Sequence, residues 1–273
     1  MPDAHAGGWG VVLAQLPYLL KGTFPEGPLA GAALTLWMAA LACAGATVLG
    51  IALALLLDLA PAALVRPLRA LLAGLRAIPV LMLIFWTYFL LPMLAGVQVG
   101  EVQTVVLALA LIGAAYVAQV MEAGFAAVGR GQRQAALALG MTPLQALWRI
   151  VLPQTLRAML PSLGNVWVSL AKDTSLAYIV GVVELSTVAA QVNGRSMGYA
   201  AQVFGAVGLL YFAICLGIES VAALLLAATR SRRRALPGMP GQEAAPAGQA
   251  WLSAFRPGRR PAPRPPRSRP APP

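Results

Sequence analysis

The sequence predicts an all-helical protein that crosses a membrane five times, with a short interfacial helix before the first crossing. Of the 273 residues, 59% are hydrophobic and only 11% are charged, and the mean hydropathy is +0.74. Soluble domains carry roughly 25% charged residues, so most of the outer surface has to face lipid. Five apolar runs each approach the length of about 20 residues that a spanning helix needs.

The five predicted spans follow one another with short connections. They are roughly residues 29–57, 78–99, 102–123, 163–183 and 201–228. The third contains Glu122, the fourth contains Lys172 and Asp173, and the fifth contains Glu219. Because ionisable groups inside a bilayer are costly, we expect these side chains to face protein or water.

Basic residues cluster in alternate connections between the spans. One set of connections holds Arg66, Arg69, Arg76, Arg130, Arg133, Arg149, Arg157 and the run from Arg230 to Arg234. The other set holds Lys21 and Arg195, together with Glu26 and Glu101. The positive-inside rule therefore predicts an N-terminus outside the membrane-enclosed compartment and a cytoplasmic C-terminus. The net charge of +11 also suits a nucleic-acid binder, but this distribution between apolar runs excludes that class.

Two segments lie outside the predicted bundle. Within the N-terminal segment, residues 1–28, the stretch 9–20 (WGVVLAQLPYLL) is too short to span and is expected to lie at the outer membrane surface. Residues 29–230 are predicted to form the membrane domain. The Pro/Arg-rich tail, residues 231–273, is expected to be disordered. Its arginines either contact anionic lipid or are solvated without a specific role.

The connection over residues 129–157 carries local signals for a helix–turn–helix. Residues 132–139 favour a helix, and Gly140 suits the left-handed residue that ends one. Thr142, Pro143 and Gln145 then predict an N-cap, a first helical position and a capping box. The second helix has an apolar face, formed by Leu144, Leu147, Trp148 and Val151, and Pro153 is expected to stop or kink it. Such a loop is suited to dock a partner; the alternative is a loop lying on the membrane surface.

The same loop resembles the cytoplasmic signature of ABC importer permeases. The matching residues are Gln134-Ala135-Ala136, Gly140-Met141 and Ile150-Val151-Leu152-Pro153, although the family usually has Glu where Gln134 stands. The resemblance implies the type I permease fold and a coupling helix that docks on an ATP-binding subunit. The residues it assigns to coupling are Gln134, Ala135, Ala136, Gly140, Met141, Ile150, Leu152 and Pro153.

Further motifs resemble the polar amino acid branch, with glutamate/aspartate permeases most similar. They are LPYLL, RAIPVLMLIFWTYFLLP, RGQ, ALALGMT, LPQ and KDTSLAYIV, and the resemblance covers about residues 16–230. It implies two ATP-binding subunits, a second permease chain, a periplasmic amino-acid-binding protein and a bacterial inner membrane. It also implies an acidic substrate, glutamate or aspartate. Gln119 and Glu122 depart from the Glu and Arg frequent in that branch, so glutamine, basic or opine-like amino acids are alternatives.

The chain has no ATPase motif of its own. A phosphate-binding loop needs GxxxxGK[ST], and neither Lys21 nor Lys172 fits it. The two cysteines and one histidine predict no metal site or disulfide framework. We therefore expect a non-enzymatic subunit without a cofactor, with ATP–Mg bound by partner chains.

Polar residues of the fourth span recur at three- and four-residue steps, which places them on one helical face. This polar stripe consists of Ser162, Asn165, Ser169, Lys172 and Ser175, with Asp173 and Thr174 beside it. We expect these residues, with Tyr116 and Gln119 of the third span, to line the substrate pathway, with Lys172 binding an amino acid carboxylate.

Structural roles compete with each of these assignments. Lys172 and Asp173 are equally suited to ion pairs between spans, and Tyr116 to packing. Glu184 is expected to be solvated near the outer end of its span. Glu219 is expected to contact another helix, a dimer partner or the substrate. Two rival classes stay open: a gradient-driven transporter, which usually shows an internal repeat, and a membrane anchor, which has no use for a polar stripe.

Overall fold

The computed structural model describes residues 8–96, 99–128, 130–196 and 198–234. The chain divides into two units, Met1–Arg232 and Arg233–Pro273. The predicted disorder of the tail lies outside the described residues, except for the end of the last helix.

Helices account for nearly all of the described chain, which confirms the all-α prediction. They are α1 (Gly8–Lys21), α2 (Gly31–Leu59), α3 (Ala62–Ala77), α4 (Val80–Phe85), α5 (Leu91–Ala95), α6 (Glu101–Val128), α7 (Arg130–Ala138), α8 (Pro143–Ala146), α9 (Leu152–Asp173), α10 (Leu185–Arg195) and α11 (Ala200–Arg234). Single π-helical turns connect α4 to α5 and α8 to α9, and a 3₁₀ segment, Thr174–Val180, follows α9.

Three of the helices are long and apolar enough to cross a membrane. They are α2, α6 and residues Ala200–Thr229 of α11, and they coincide with the first, third and fifth predicted spans. The helix of the second predicted span begins only after Pro79, so this span is shorter than expected. The helix axis also bends by 102° between α3 and this span. Proline disfavours a helical residue before it, and Ile78 is accordingly extended.

The fourth predicted span differs most from its expected bounds. Helix α9 begins at Leu152, well before residue 163, and gives way to the 3₁₀ segment at Thr174. It is not among the helices that satisfy both length and hydropathy. Its polar stripe lowers its mean hydropathy, so composition alone does not identify it as a span.

The centre of the bundle is the contact between α2 and α6. Small residues recur every fourth position on the buried face of α2, at Ala42, Ala46, Gly50 and Ala54. A Cβ atom added to Gly50 would lie 2.5 Å from the Cβ of Val117 on α6. Small residues at such steps let two helix backbones approach closely, which is how helices associate within membranes.

Helix α1 packs against the bundle through part of its surface. Val12 and Leu19 are buried in a cluster with residues of α10 and α11. The Tyr18 hydroxyl donates a hydrogen bond of 2.7 Å to the side-chain amide oxygen of Gln191, and the Arg195 guanidinium lies 5.2 Å from the Tyr18 ring centre. The predicted N-terminal helix therefore exists, and one face of it belongs to the protein core.

Candidate functional site

The loop between α6 and α9 folds as the local sequence signals predict. Helix α7 ends before Gly140, whose φ of +82° is in the left-handed region. Thr142 caps α8: its hydroxyl accepts from the Gln145 N–H at 3.2 Å, and the Gln145 side chain accepts from the Thr142 N–H at 3.0 Å. Both halves of the predicted capping box are present.

Pro153 does not stop the second helix of this loop. The chain runs helically from Pro143 through the π-helical turn Leu147–Val151 directly into α9, with Pro153 in its first turn. A proline ring clashes with the carbonyl four residues earlier in a regular α-helix. The wider π turn is a known way to absorb such a conflict. Of the two effects expected of Pro153, the stop was wrong: the helix continues into α9, and its regular α-helical form is interrupted by the π turn just before the proline.

The apolar residues of the second helix differ in burial. Leu147 and Val151 are buried against the protein, whereas Leu144 and Trp148 are about half exposed. Leu139, beside Gly140, is 84% exposed. We call Leu139, Leu144 and Trp148 the loop apolar surface. The apolar face expected from the sequence is therefore buried against the protein at Leu147 and Val151 and exposed at Leu144 and Trp148.

The residues predicted to couple have different environments. Gln134, Ala135 and Gly140 are exposed, and Met141, Ile150 and Pro153 are partly exposed. Ala136 and Leu152 are buried. Only the first two groups are accessible to a partner, so Ala136 and Leu152 shape the loop from inside.

Two ion pairs lie beside this loop and were not foreseen. Arg133 of α7 pairs with Asp58 of α2 through both terminal nitrogens, and Arg69 of α3 pairs with Glu122 of α6 at 2.8 Å. Asp58, Arg69 and Glu122 line one cavity of about 370 Å³. The charge of Glu122, which departs from the pattern of the resembling branch, is thus compensated within the chain.

The polar stripe of α9 lies largely on the surface of the protomer. Asn165, Ser169 and Lys172 are exposed, and Ser162 and Ser175 are partly exposed. Ser175 belongs to the 3₁₀ segment, so the helical register of the stripe ends at Asp173.

The residues beside the stripe differ in exposure. Asp173 is partly exposed. Thr174 is buried, and its hydroxyl donates a hydrogen bond of 2.7 Å to the carbonyl oxygen of Ala171. Tyr116 and Gln119 are exposed on α6.

Lys172 opens onto a groove between α9 and α11. The groove has a volume of about 470 Å³, and its lining residues are Val168, Lys172, Gly208, Tyr211, Phe212, Cys215, Leu216 and Glu219. Among the described residues neither Lys172 nor Asp173 forms an ion pair. The groove therefore presents one cation and one carboxylate on otherwise mainly apolar walls.

Glu184 is completely buried, and the expectation that it is solvated was wrong. It is the N-cap of α10, and its carboxylate accepts from the Thr187 N–H at 3.0 Å and from the Tyr211 hydroxyl at 2.7 Å. The Thr35 hydroxyl lies 3.5 Å away and accepts from the Leu185 N–H. Glu184 thus joins α2, α10 and α11. No pattern in the neighbouring sequence distinguishes the buried Glu184 from an N-cap residue that is exposed to solvent.

Comparison with known proteins identifies relatives over most of the chain. Residues 46–231 match the family described as binding-protein-dependent transport system inner membrane component. The glutamate/aspartate import permease GltK of Escherichia coli O6:H1 is 31% identical, over 83% of this chain and 98% of its own. The probable amino-acid ABC transporter permease YckA of Bacillus subtilis is 31% identical, over 75% and 86%. The glutamine transport permease GlnP of Escherichia coli K12 is 27% identical, over 78% and 93%.

Solved structures share the fold. A chain from the crystal structure of an amino acid ABC transporter with histidines superposes with a TM-score of 0.67 at 24% identity, covering 80% of this chain and 96% of that one. A chain of the inward-facing methionine ABC transporter MetNI gives 0.63 at 22% identity, covering 73% and 94%. The type I permease fold predicted from the loop is confirmed.

Proposed function

Because this chain belongs to the family of binding-protein-dependent transport system inner membrane components, as a permease subunit of the amino acid ABC importers, we propose that it imports acidic amino acids. The substrates are glutamate and aspartate, and they pass along the exposed stripe of α9. Separate ATP-binding subunits drive the transport. The chain is a multi-pass protein of the inner membrane.

The groove between α9 and α11 carries the substrate assignment. Lys172 is exposed there without an ion pair among the described residues, and Glu219 lies on the other wall. An amino acid presents an ammonium and a carboxylate on one carbon, so these two side chains match its charges. Carboxylates bind ammonium groups through charge-assisted hydrogen bonds, which are the strong ones.

The preference for an acidic side chain rests on the balance of charge along the stripe. Lys172 is the one charged residue among the five that form the stripe, so the stripe itself attracts an anionic substrate, and Glu219 on the facing wall meets the substrate ammonium. GltK, described as a glutamate/aspartate import permease, matches over 98% of its length. GlnP, described as a glutamine permease, makes glutamine the second candidate.

The loop apolar surface supports docking of the ATP-binding subunits. Leu139, Leu144 and Trp148 are exposed beside the signature residues Gln134 and Gly140. A helix end with apolar side chains is suited to lie in a groove of a partner. In this proposal the loop is cytoplasmic, the N-terminus is periplasmic, and two permease chains form the pathway with two ATP-binding subunits and a periplasmic binding protein.

Uptake into proteoliposomes tests the function. The permease is reconstituted with its cognate ATP-binding subunit and binding protein, and labelled glutamate, aspartate, glutamine, arginine and cystine are compared with and without internal ATP. We expect ATP-dependent uptake that is highest for glutamate and aspartate. Preferential uptake of glutamine or arginine would refute the acidic assignment, and uptake driven by an ion gradient without ATP would refute the importer class.

A further inference from the structure

We propose that the ion pair between Asp58 and Arg133 transmits movement of the coupling loop to helix α2, and that both are positioning residues for coupling ATP hydrolysis to transport. This inference rests on the proposed function, since it assumes that the loop docks on an ATP-binding subunit. It adds a specific mechanical link between that loop and the bundle.

The ion pair between Arg133 and Asp58 has a bidentate geometry. Arg133 Nη1 lies 3.2 Å from Asp58 Oδ1, and Nη2 is bonded to Oδ2, so the guanidinium and carboxylate meet through two parallel contacts. Bidentate arginine–carboxylate pairs constrain orientation as well as distance. The side chains are 35% and 16% exposed, so the pair is partly shielded from water.

Arg133 depends on Asp58 for its position. Its Nε is buried and makes no hydrogen bond among the described residues, so Asp58 supplies the polar contacts that hold the guanidinium. Asp58 in turn occupies the last turn of α2, which ends at Leu59. The negative end of the helix dipole disfavours a carboxylate there. The ion pair with Arg133 offsets this unfavourable position of Asp58.

The pair joins the loop to the most tightly packed part of the bundle. Arg133 immediately precedes Gln134, which is exposed on α7. Asp58 lies in the last turn of α2, whose small-residue face, from Ala42 to Ala54, packs closely on α6. Because packed helices move as units rather than deforming continuously, a displacement of α7 is passed through Asp58 to α2 and α6 together.

The second ion pair supplies a matched comparison. Arg69 and Glu122 line the same cavity as Asp58 but connect α3 to α6 and do not involve the loop, and the Arg69 side chain is 61% exposed. If coupling depends on the ion pair between the loop and α2, Arg69→Gln leaves the amount of amino acid transported per ATP unchanged. If coupling depends only on charge around the cavity, Arg69→Gln and Asp58→Asn lower that amount equally.

The experiment uses the complete transporter in proteoliposomes, with binding protein and the amino acid that the wild type transports best. The variants are Asp58→Asn, Arg133→Gln, the exchange Asp58→Arg/Arg133→Asp, and Arg69→Gln. Three quantities are measured: co-purification of the ATP-binding subunit, ATP hydrolysis, and amino acid transported per ATP. We expect both single variants to assemble and hydrolyse ATP, with transport per ATP reduced by about fivefold or more. The exchange variant restores most of the transport per ATP, and Arg69→Gln transports as much amino acid per ATP as the wild type.

Each other result has a distinct meaning. Wild-type transport per ATP in Asp58→Asn overturns the inference, as does an equal loss in Arg69→Gln. Loss of co-purification in the single variants also overturns it, because the pair then only shapes the docking surface. A wild-type transporter without ATP-dependent uptake refutes the proposed function itself.

Discussion

The hydroxyl of Tyr211 on α11 donates a 2.7 Å hydrogen bond to the buried carboxylate of Glu184, the residue that caps α10. The same hydroxyl lies 3.0 Å from the Ser186 hydroxyl. Tyr211 also lines the groove that contains Lys172. One side chain therefore contacts both the polar cluster that holds three helices together and the proposed substrate groove.

Glu184→Ala is expected to destabilise the protein. It removes a helix cap, which costs about 1 kcal/mol, and leaves the partly buried Tyr211 hydroxyl with one partner fewer, which costs about 1 kcal/mol more. Glu184→Gln keeps an acceptor for the Thr187 N–H and should lose less. Thermal unfolding in detergent measures both, with the exposed Glu219→Gln as control. Equal midpoints for Glu184→Ala and Glu219→Gln would contradict the structural role.

Gly50→Ala should destabilise the contact between α2 and α6. The added Cβ would lie 2.5 Å from the Cβ of Val117 and 2.8 Å from the Ala114 carbonyl oxygen, too close without backbone movement. Overpacking of this kind costs about 1–3 kcal/mol. Gly205→Ala on α11 is the control, because its Cβ meets nothing within 4 Å. A higher unfolding midpoint in Gly50→Ala than in Gly205→Ala would exclude the close approach.

Gly140→Val should abolish transport without preventing membrane insertion. Nothing lies within 4 Å of a Cβ at Gly140, so its φ of +82° is the obstacle. A left-handed residue costs L-amino acids about 1–2 kcal/mol, and asparagine tolerates it better. Gly140→Asn should retain transport, and Gly131→Ala on the neighbouring helix α7 controls for substitution in the loop. Normal ATP-driven uptake by Gly140→Val would remove the turn geometry from the coupling assignment.

Trp148→Ala and Leu147→Ala separate docking from folding at adjacent positions. Trp148 is 53% exposed and Leu147 is fully buried. We expect Trp148→Ala to lose co-purification of the ATP-binding subunit at an unchanged unfolding midpoint. Leu147→Ala should be destabilised by about 2–5 kcal/mol, as for other buried leucines. Retained binding in Trp148→Ala would exclude this face as the docking surface.

Lys172→Met should reduce uptake at low substrate concentration. A hydrogen bond to a charged group contributes about 1.5–3 kcal/mol, so we expect a fall of about 10-fold to 100-fold. The control is Lys21→Met, which removes the other lysine, exposed at the end of α1. Uptake equal to wild type in Lys172→Met would mean that Lys172 does not contact the substrate.

The features that the sequence predicted correctly depend on neighbouring residues. The turn at Gly140 and the capping box of Thr142 and Gln145 follow from steric and hydrogen-bonding preferences within four residues. The first, third and fifth predicted spans coincide with α2, α6 and α11 because a long apolar run is itself a local signal. The turn and the cap within the loop, and three spanning helices, were therefore determined by the sequence alone.

Contacts between distant residues were decided only by the tertiary structure. Asp58 and Arg133 are 75 residues apart, and Thr35 and Glu184 are 149 apart. No periodicity relates such positions, so the sequence showed neither the loop-to-α2 ion pair nor the burial of Glu184. The helix through Pro153 was also not predictable from the sequence. It continues because of a π turn, and Leu147 and Val151 in that turn are buried against the protein. A side chain's burial and partner are set by how helices pack, and that packing is the sum of many weak contacts along the whole chain.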